Sequence, residues 1–230
     1  RLAQQMVQSE RLSAVGRMAG TIVHDIKNPM STIRIYAQVL KKKAGNEEAA
    51  GLVDEIIKQI DRLVNMAQEV LDFSRGVSQL NLQPVKFDDF LSGVLMFLEK
   101  DFEKRKVELL VQNDYHGDVE IDADKMTRVI LNIGGNAGDA MPNGGKFFVR
   151  AHADRENVVI ELQDTGSGMP EEIRRKIFEP FVTFGKKHGT GLGMAIVKKI
   201  IDDHNASIDI QTELGKGTTM TLTLPLKQKK

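Results

Sequence analysis

The sequence predicts a multi-domain chain: an all-α antiparallel helical hairpin, completed to a four-helix bundle by a second copy, followed by an α+β two-layer sandwich. Three observations predict it. Apolar residues keep heptad spacing through the first part of the chain, the segment Gly76 to Pro84 breaks that spacing, and strand and helix patterns then alternate to the end.

The first helix is carried by Leu12, Val15, Ala19, Ile22, Ile26, Pro29, Ile33, Tyr36 and Leu40, spaced by three and four. Residues 1 to about 10 continue its pattern upstream, so the chain reads as a fragment of a longer protein. With Leu12 at heptad position a, His24 falls at f, facing away from the seam. Asp25 and Asn28 share its exposed patch, and Pro29 bends the helix just beyond. Lys41 to Lys43 and then Gly45-Asn46 suit a helix end.

A second heptad run follows at Val53, Ile56, Ile60, Leu63, Ala67, Val70, Ser74 and Val77, widened by Ile57, Val64 and Leu71. The first helix has a matching extra series in Val23, Met30 and Ala37. Stripes this wide exceed what one partner helix covers, so a homodimer through the hairpin is expected. The boundary divides the chain into residues 1–79 and 80–230.

In the second part, strands are expected near Pro84 to Phe87, Val107 to Gln112, Val119 to Ile121, Lys146 to Ala153, Val158 to Gln163, Ser207 to Gln211 and Thr218 to Leu224. Helices are expected from about Asp88 to Lys104, from Asp122 or Asp124 to Ala140, and from Gly193 to Asp203. This order argues for helices on one face of a mostly antiparallel sheet.

Composition narrows the function classes. Thirty-two basic against 32 acidic residues leave no net charge, which gives no support to a nucleic-acid partner or an anionic membrane surface. Zero cysteines exclude disulfides and thiolate metal sites and fit a reducing compartment. No apolar run approaches the roughly 20 residues that cross a bilayer, so no membrane contact is expected for this stretch.

Three clusters in the second part carry chemistry. Asn132 and Asn136 are one helical turn apart and offer amide oxygens to a hard cation that keeps most of its waters, as magnesium on a triphosphate does. Gly134, Gly135 and Gly138 weaken that helix by about 1 kcal/mol each relative to alanine, which asks for a reason such as a close-lying ligand. Asp164 ends a strand, where a carboxylate accepts a hydrogen bond from the exocyclic amine of adenine, and Gly166 and Gly168 let backbone lie against a flat base. The run Gly189-Thr190-Gly191-Leu192-Gly193 opens a helix and presents free N–H groups to phosphates, with Lys186 and Lys187 in a loop able to close over them. Phe178 and Phe181 upstream read as anchors for its hinge. An ordinary loop remains an equal reading of the Asp164 turn taken alone.

Taken together, HDIKNP, NIGGNA, DTGSGMP, FEPFVTF and GTGLGMA resemble, in order and spacing, the H, N, G1, F and G2 boxes of bacterial two-component sensor histidine kinases. The resemblance covers nearly all of residues 10 to 226. It implies a dimerisation and histidine-phosphotransfer hairpin followed by a Bergerat-type ATP-binding domain. It further implies His24 as phospho-acceptor with Asp25 as its acid/base neighbour, Asn28 in phosphatase action, Asn136 at the magnesium, Asp164 reading adenine, and Gly189 to Gly193 facing the phosphates. The implied activity is ATP-dependent autophosphorylation of His24 and transfer to an aspartate of a response regulator, with ATP and Mg2+ required. The implied location is cytoplasmic for this fragment, whether or not the parent is membrane-anchored.

The chain departs from the family pattern at Asp139, where many relatives carry lysine or arginine, and at the F box, whose lysines come only at 186 and 187. The alternative is an ATP-hydrolysing conformational machine of the same fold group. That class resembles this domain but places a glutamate base where this chain has Asn132, and an amide cannot take a proton from water.

Overall fold

The computed structural model describes residues 30–42, 47–74, 80–185 and 190–228. The chain divides into two compact units, Arg1–Ser78 and Gln79–Lys230.

In the first unit, helix α1 covers residues 30–42 and helix α2 covers Glu47–Ser74. Glu47 and Glu48 open α2, where carboxylates favour the positive end of the helix dipole. The helices run antiparallel. Arg34 pairs with Asp61 at 3.0 Å and Lys41 with Asp54 at 2.6 Å, so positions climbing one helix descend the other. Ala37, Val53 and Ile60 are buried between them. Ile33, Tyr36 and Leu40 on α1, with Leu52, Ile56 and Leu63 on α2, stay exposed on the single chain. Two helices bury only part of so wide an apolar stripe.

The second unit opens with β1 (Gln83–Lys86) and α3 (Phe87–Arg105), followed by β2 (Val107–Asn113), β3 (Asp118–Ile121) and α4 (Ala123–Ala140). Then come β4 (Gly145–Asp154), β5 (Asn157–Asp164), the short α5 (Glu171–Arg174), α6 (Gly193–Asp203), β6 (Ser207–Glu213) and β7 (Gly217–Pro225). Strands β2, β4, β5, β7 and β6 form one sheet in that order, while β1 and β3 pair separately as a two-stranded ribbon.

Every pairing in the main sheet is antiparallel except β2 with β4. That exception follows from connectivity, because β3 and α4 lie between the two strands and carry the chain back to the same end. Helices α3, α4 and α6 lie on one face, α3 over β2, α4 over β5 and β7, and α6 over β6. The inward residues alternate along each strand, as a half-buried sheet requires: Val158, Ile160 and Leu162 on β5 meet Leu224, Leu222 and Met220 on β7 in register. Phe102 of α3 stacks edge-on against Phe147 of β4 at 5.1 Å. The outer face is more polar, with Arg150 bonded to Gln163, close to Glu161 and lying over the Phe148 ring.

Candidate functional site

Asp164 is the last residue of β5 and continues the inward-facing series, yet it is a carboxylate only 7% exposed. Two backbone donors hold it: Gly166 N–H donates to Oδ1 at 2.8 Å and Thr218 N–H, from the paired start of β7, at 3.2 Å. Burial pushes its carboxyl above the ordinary range, and the two N–H groups pull the other way without cancelling that rise. The turn behind it is stitched on three sides. Lys146 N–H donates to Thr165 Oγ1 at 3.0 Å, Ser167 N–H to the Ala140 carbonyl at 3.1 Å, and Met169 N–H to Thr212 Oγ1 at 3.0 Å.

The glycines of this turn have a packing reason that sequence reading assigned to a ligand. A side chain on Gly166 would meet Ala140 at 2.8 Å, and one on Gly168, whose φ is +59°, would overlap the carbonyl of Glu213. The same correction applies on α4. A Cβ at Gly134 would strike Leu98 at 2.5 Å and one at Gly138 would strike Arg105 at 2.9 Å, so these two glycines admit α3. Only Gly135 of the three faces open space.

That open face of α4 also carries Asn132, Asn136 and Asp139, successive turns on one side of the helix. Asn132 reaches α6: a Cβ added at Gly193 would lie 3.7 Å from its Oδ1. Asp139 is tied to Arg105, whose guanidinium bonds it at 2.7 Å and Asp101 at 2.8 Å. The carboxylate that stands in place of the family's basic residue is thus neutralised by an arginine from another helix. Among the described residues no group of three histidine or carboxylate side chains could hold a metal. An amide-lined site of this kind suits a cation that brings its own phosphate and water ligands.

Leading into α6, Thr190 Oγ1 accepts from Leu192 N–H at 3.2 Å, and Leu192 is buried. Gly191 sits at φ +69° against the backbone of Phe181 and Val182, and Phe181 N–H donates to its carbonyl at 3.0 Å. The two ends of the loop are therefore pinched together. The Phe181 side chain is 68% exposed, so at that residue the hinge is anchored by main chain rather than by the expected ring, while Phe178 is half-buried. Lys186, Lys187 and Gly189 lie outside the described residues, as do His24, Asp25 and Asn28. Asp164, Gly166 and Gly168 are brought to one strand end, while Asn132 and Gly193 meet where α4 and α6 adjoin.

Sequence reading missed His204. Its ring is fully buried at the end of α6; Nδ1 lies 2.7 Å from the Ile200 carbonyl, and Nε2 accepts from Asp122 N–H at 3.1 Å. Burial lowers its pKa, so it stays neutral. Asp122 caps α4 through Lys125 N–H and also accepts from Asn81 N–H. A signal was available in that Asp122 precedes a helix, but no local pattern could pair it with a histidine far along the chain.

Comparisons with known proteins agree with this architecture. Residues 14–79 match the His Kinase A (phospho-acceptor) domain, and residues 121–228 match the histidine kinase-, DNA gyrase B- and HSP90-like ATPase family. The chain is 33% identical over 227 residues to sensor histidine kinase ZraS of Escherichia coli (strain K12), covering 98% of this chain and 48% of that protein. It is 30% identical over 221 residues to sporulation kinase D of Bacillus subtilis (strain 168), covering 95% and 43% respectively. The chain thus spans about half the length of the curated relatives it matches. Among solved structures, full-length ShkA in complex with AMPPNP superposes with a TM-score of 0.78 at 24% identity, over 93% of this chain and 46% of that one. Histidine kinase ThkA in complex with response regulator protein TrrA gives 0.67 at 26% identity, over 95% and 64%. The match to a phospho-acceptor domain followed by this ATPase family, together with 33% identity to a sensor histidine kinase over 98% of the chain, places the chain in the two-component sensor histidine kinase family as its catalytic core.

Proposed function

We propose that the chain autophosphorylates His24 with ATP bound in its second unit and passes the phosphoryl group to an aspartate of a response regulator. The observation that carries this reading is the buried Asp164 carboxylate, held by two backbone N–H groups at the mouth of the sandwich. A carboxylate so fixed accepts from the exocyclic amine of adenine and repels the carbonyl that guanine presents there. Gly166, Gly168 and Thr218 build the wall around it. Asn132 and Asn136 line the metal-bearing side, with Asn136 as the magnesium-linked amide, and Mg2+ when bound neutralises charge on the phosphates. Thr190, Gly191, Leu192 and Gly193, with Gly189, Lys186 and Lys187 before them, form the phosphate-facing loop at the positive end of α6.

In the transfer an unprotonated imidazole nitrogen of His24 forms the N–P bond while the bond from the γ-phosphorus to the ADP oxygen breaks. Asp25 hydrogen-bonds the other ring nitrogen and takes up the charge that develops. Asn28, one turn below, orients water toward a regulator's aspartyl phosphate, whose hydrolysis releases inorganic phosphate and restores the aspartate. The relative ThkA was solved with a response regulator protein, which supports a receiver domain as partner. The exposed stripe on α1 and α2 supports a homodimer through the hairpin. Among the described residues no helix is long and apolar enough to cross a membrane. A response-regulator partner, as in the ThkA complex, supports a cytoplasmic place for this core. Asn132 stands where a hydrolytic enzyme of this fold would place its base, which favours transfer over hydrolysis.

Incubation with γ-labelled ATP and Mg2+ tests the reading. The expected product is an acid-labile, base-stable phosphoprotein that His24→Gln abolishes. Release of phosphate without protein labelling would instead establish the hydrolase.

A further inference from the structure

Helices α4 and α6 pack against each other, and one hydrogen bond fastens them at the end far from the glycine loop: Asp122 N–H donates to His204 Nε2 at 3.1 Å. Gly193, the first residue of α6, starts beside Asn132, whose Oδ1 would lie 3.7 Å from a Cβ added there. Asp122 to Asn132 rises about 15 Å and Gly193 to His204 about 16 Å at 1.5 Å per residue, so the hydrogen bond and this approach lie at matching levels on antiparallel helices. A shift of α6 at its His204 end is therefore delivered to its glycine-led start.

The far fastening also holds the entering chain. Asn81, three residues past the boundary between the two units, donates its backbone N–H to Asp122 Oδ2 at 3.0 Å. The same carboxylate accepts Lys125 N–H at 3.1 Å on Oδ1 and lies 3.4 Å from the Lys125 ammonium. Both side chains are deeply placed: Asp122 is 7% exposed and His204 is fully buried. The tautomer is dictated as well, because the Ile200 carbonyl only accepts and must receive Nδ1–H, which leaves Nε2 as the acceptor. The phosphate-transfer chemistry gives this buried neutral imidazole no role.

We propose that Asp122 and His204 are positioning residues through which the segment joining the two units sets the placement of the α6 start, and hence the affinity of the phosphate-facing loop. The proposal rests on the nucleotide-binding reading above. When the joining segment is drawn away at Asn81, Asp122 loses a donor, the cap of α4 reorients, and α6 is released at its His204 end. The Asn132 to Gly193 approach then loosens.

The test uses the full chain and titrates MgADP by calorimetry. Asn81→Pro deletes the donating N–H, whereas Asn81→Gly keeps it; His204→Phe deletes the acceptor, whereas His204→Gln restores an oxygen near the Nε2 position. Asn81→Pro and His204→Phe each weaken binding three- to tenfold, and the glycine and glutamine variants stay within twofold of the parent. The double variant Asn81→Pro/His204→Phe binds no worse than the weaker single variant, because both act on one path. Should His204→Phe fail to fold by circular dichroism, the proline and glycine variants decide alone. Proline and glycine variants that bind alike, or a double variant whose loss is the product of the singles, overturn the proposal while leaving the kinase reading intact. A parent chain that binds no MgADP overturns both.

Discussion

Asp164 sets function against stability within one side chain. Because burial raises its pKa in the fold, the folded chain holds that proton more tightly than the unfolded chain does. Stability therefore falls as pH rises from the ordinary carboxylate range through the elevated folded value, and at neutral pH the charge is a net cost. Asp164→Asn keeps an oxygen for the Gly166 and Thr218 N–H groups and removes that charge. It is expected to melt higher than the parent at pH 7 while losing about 1.5–3 kcal/mol of ATP affinity, roughly 10- to 150-fold. Calorimetric melting and nucleotide titration on one sample check both halves. His204 works in the opposite sense. Burial depresses its pKa, against the raising influence of the Ile200 carbonyl, Asp122 and Asp203 and with a lowering contribution from Lys125. Its neutral form stabilises the fold above about pH 6.5, the ordinary histidine value, and that contribution is lost as pH drops through the lowered folded value. The melting temperature of the parent should fall more steeply between pH 7.5 and pH 5 than that of His204→Gln. Asp164 was legible because strand end, glycines and carboxylate are neighbours in sequence. His204 was not, since its partner Asp122 is 82 positions away and only the packing of α6 on α4 joins them.

At the level of elements, periodicity carried nearly all the information. The expected strands and helices of the sandwich match β1 through β7, α3, α4 and α6 to within a residue or two, because each has one buried face and so shows its period directly. The parallel pairing of β2 with β4 and the separate β1–β3 ribbon were not visible, as a strand's alternation says nothing of its neighbour. The short α5 was also missed; a single turn held by Arg174 and Arg175 on Glu171 leaves no periodic trace. Glycine was read in the right places, but the packing reason at Gly134, Gly138, Gly166 and Gly168 was not foreseen. Gly168→Ala should cost about 2–4 kcal/mol, adding a left-handed backbone penalty to a clash with the Glu213 carbonyl. Gly215→Ala, at φ +80° with nothing near its missing side chain, should cost only about 1–2 kcal/mol. Urea unfolding of the two variants separates the contributions.

For the whole molecule, the exposed apolar stripe on the hairpin is the feature that asks for company. Ile56 and Leu63 are about half exposed on α2, where the single chain gives them no cover. Replacing both with glutamate should halve the mass seen in sedimentation without altering MgADP binding by the second unit. The heptads announced that stripe, while the salt bridges that align α1 with α2 could not be foreseen from charge alone, since many pairings satisfy the same residues.

The second unit also receives and releases its chain at one corner. Asn81 is bonded to Asp122, just past β3; Glu120 N–H within β3 donates to the Leu226 carbonyl at 3.0 Å, and Gln228 N–H reaches the Glu120 side chain at 2.8 Å. Asp164 stands at the other end of β5 from Asn157, about 23 Å away at the usual rise of a strand. The sandwich is thus a cartridge with its socket on one side and its working mouth on the other. A short bridge from Gln228 to Asn81 would therefore span the socket and leave the mouth clear, and would let the cartridge be cut open at a surface turn and still close upon itself.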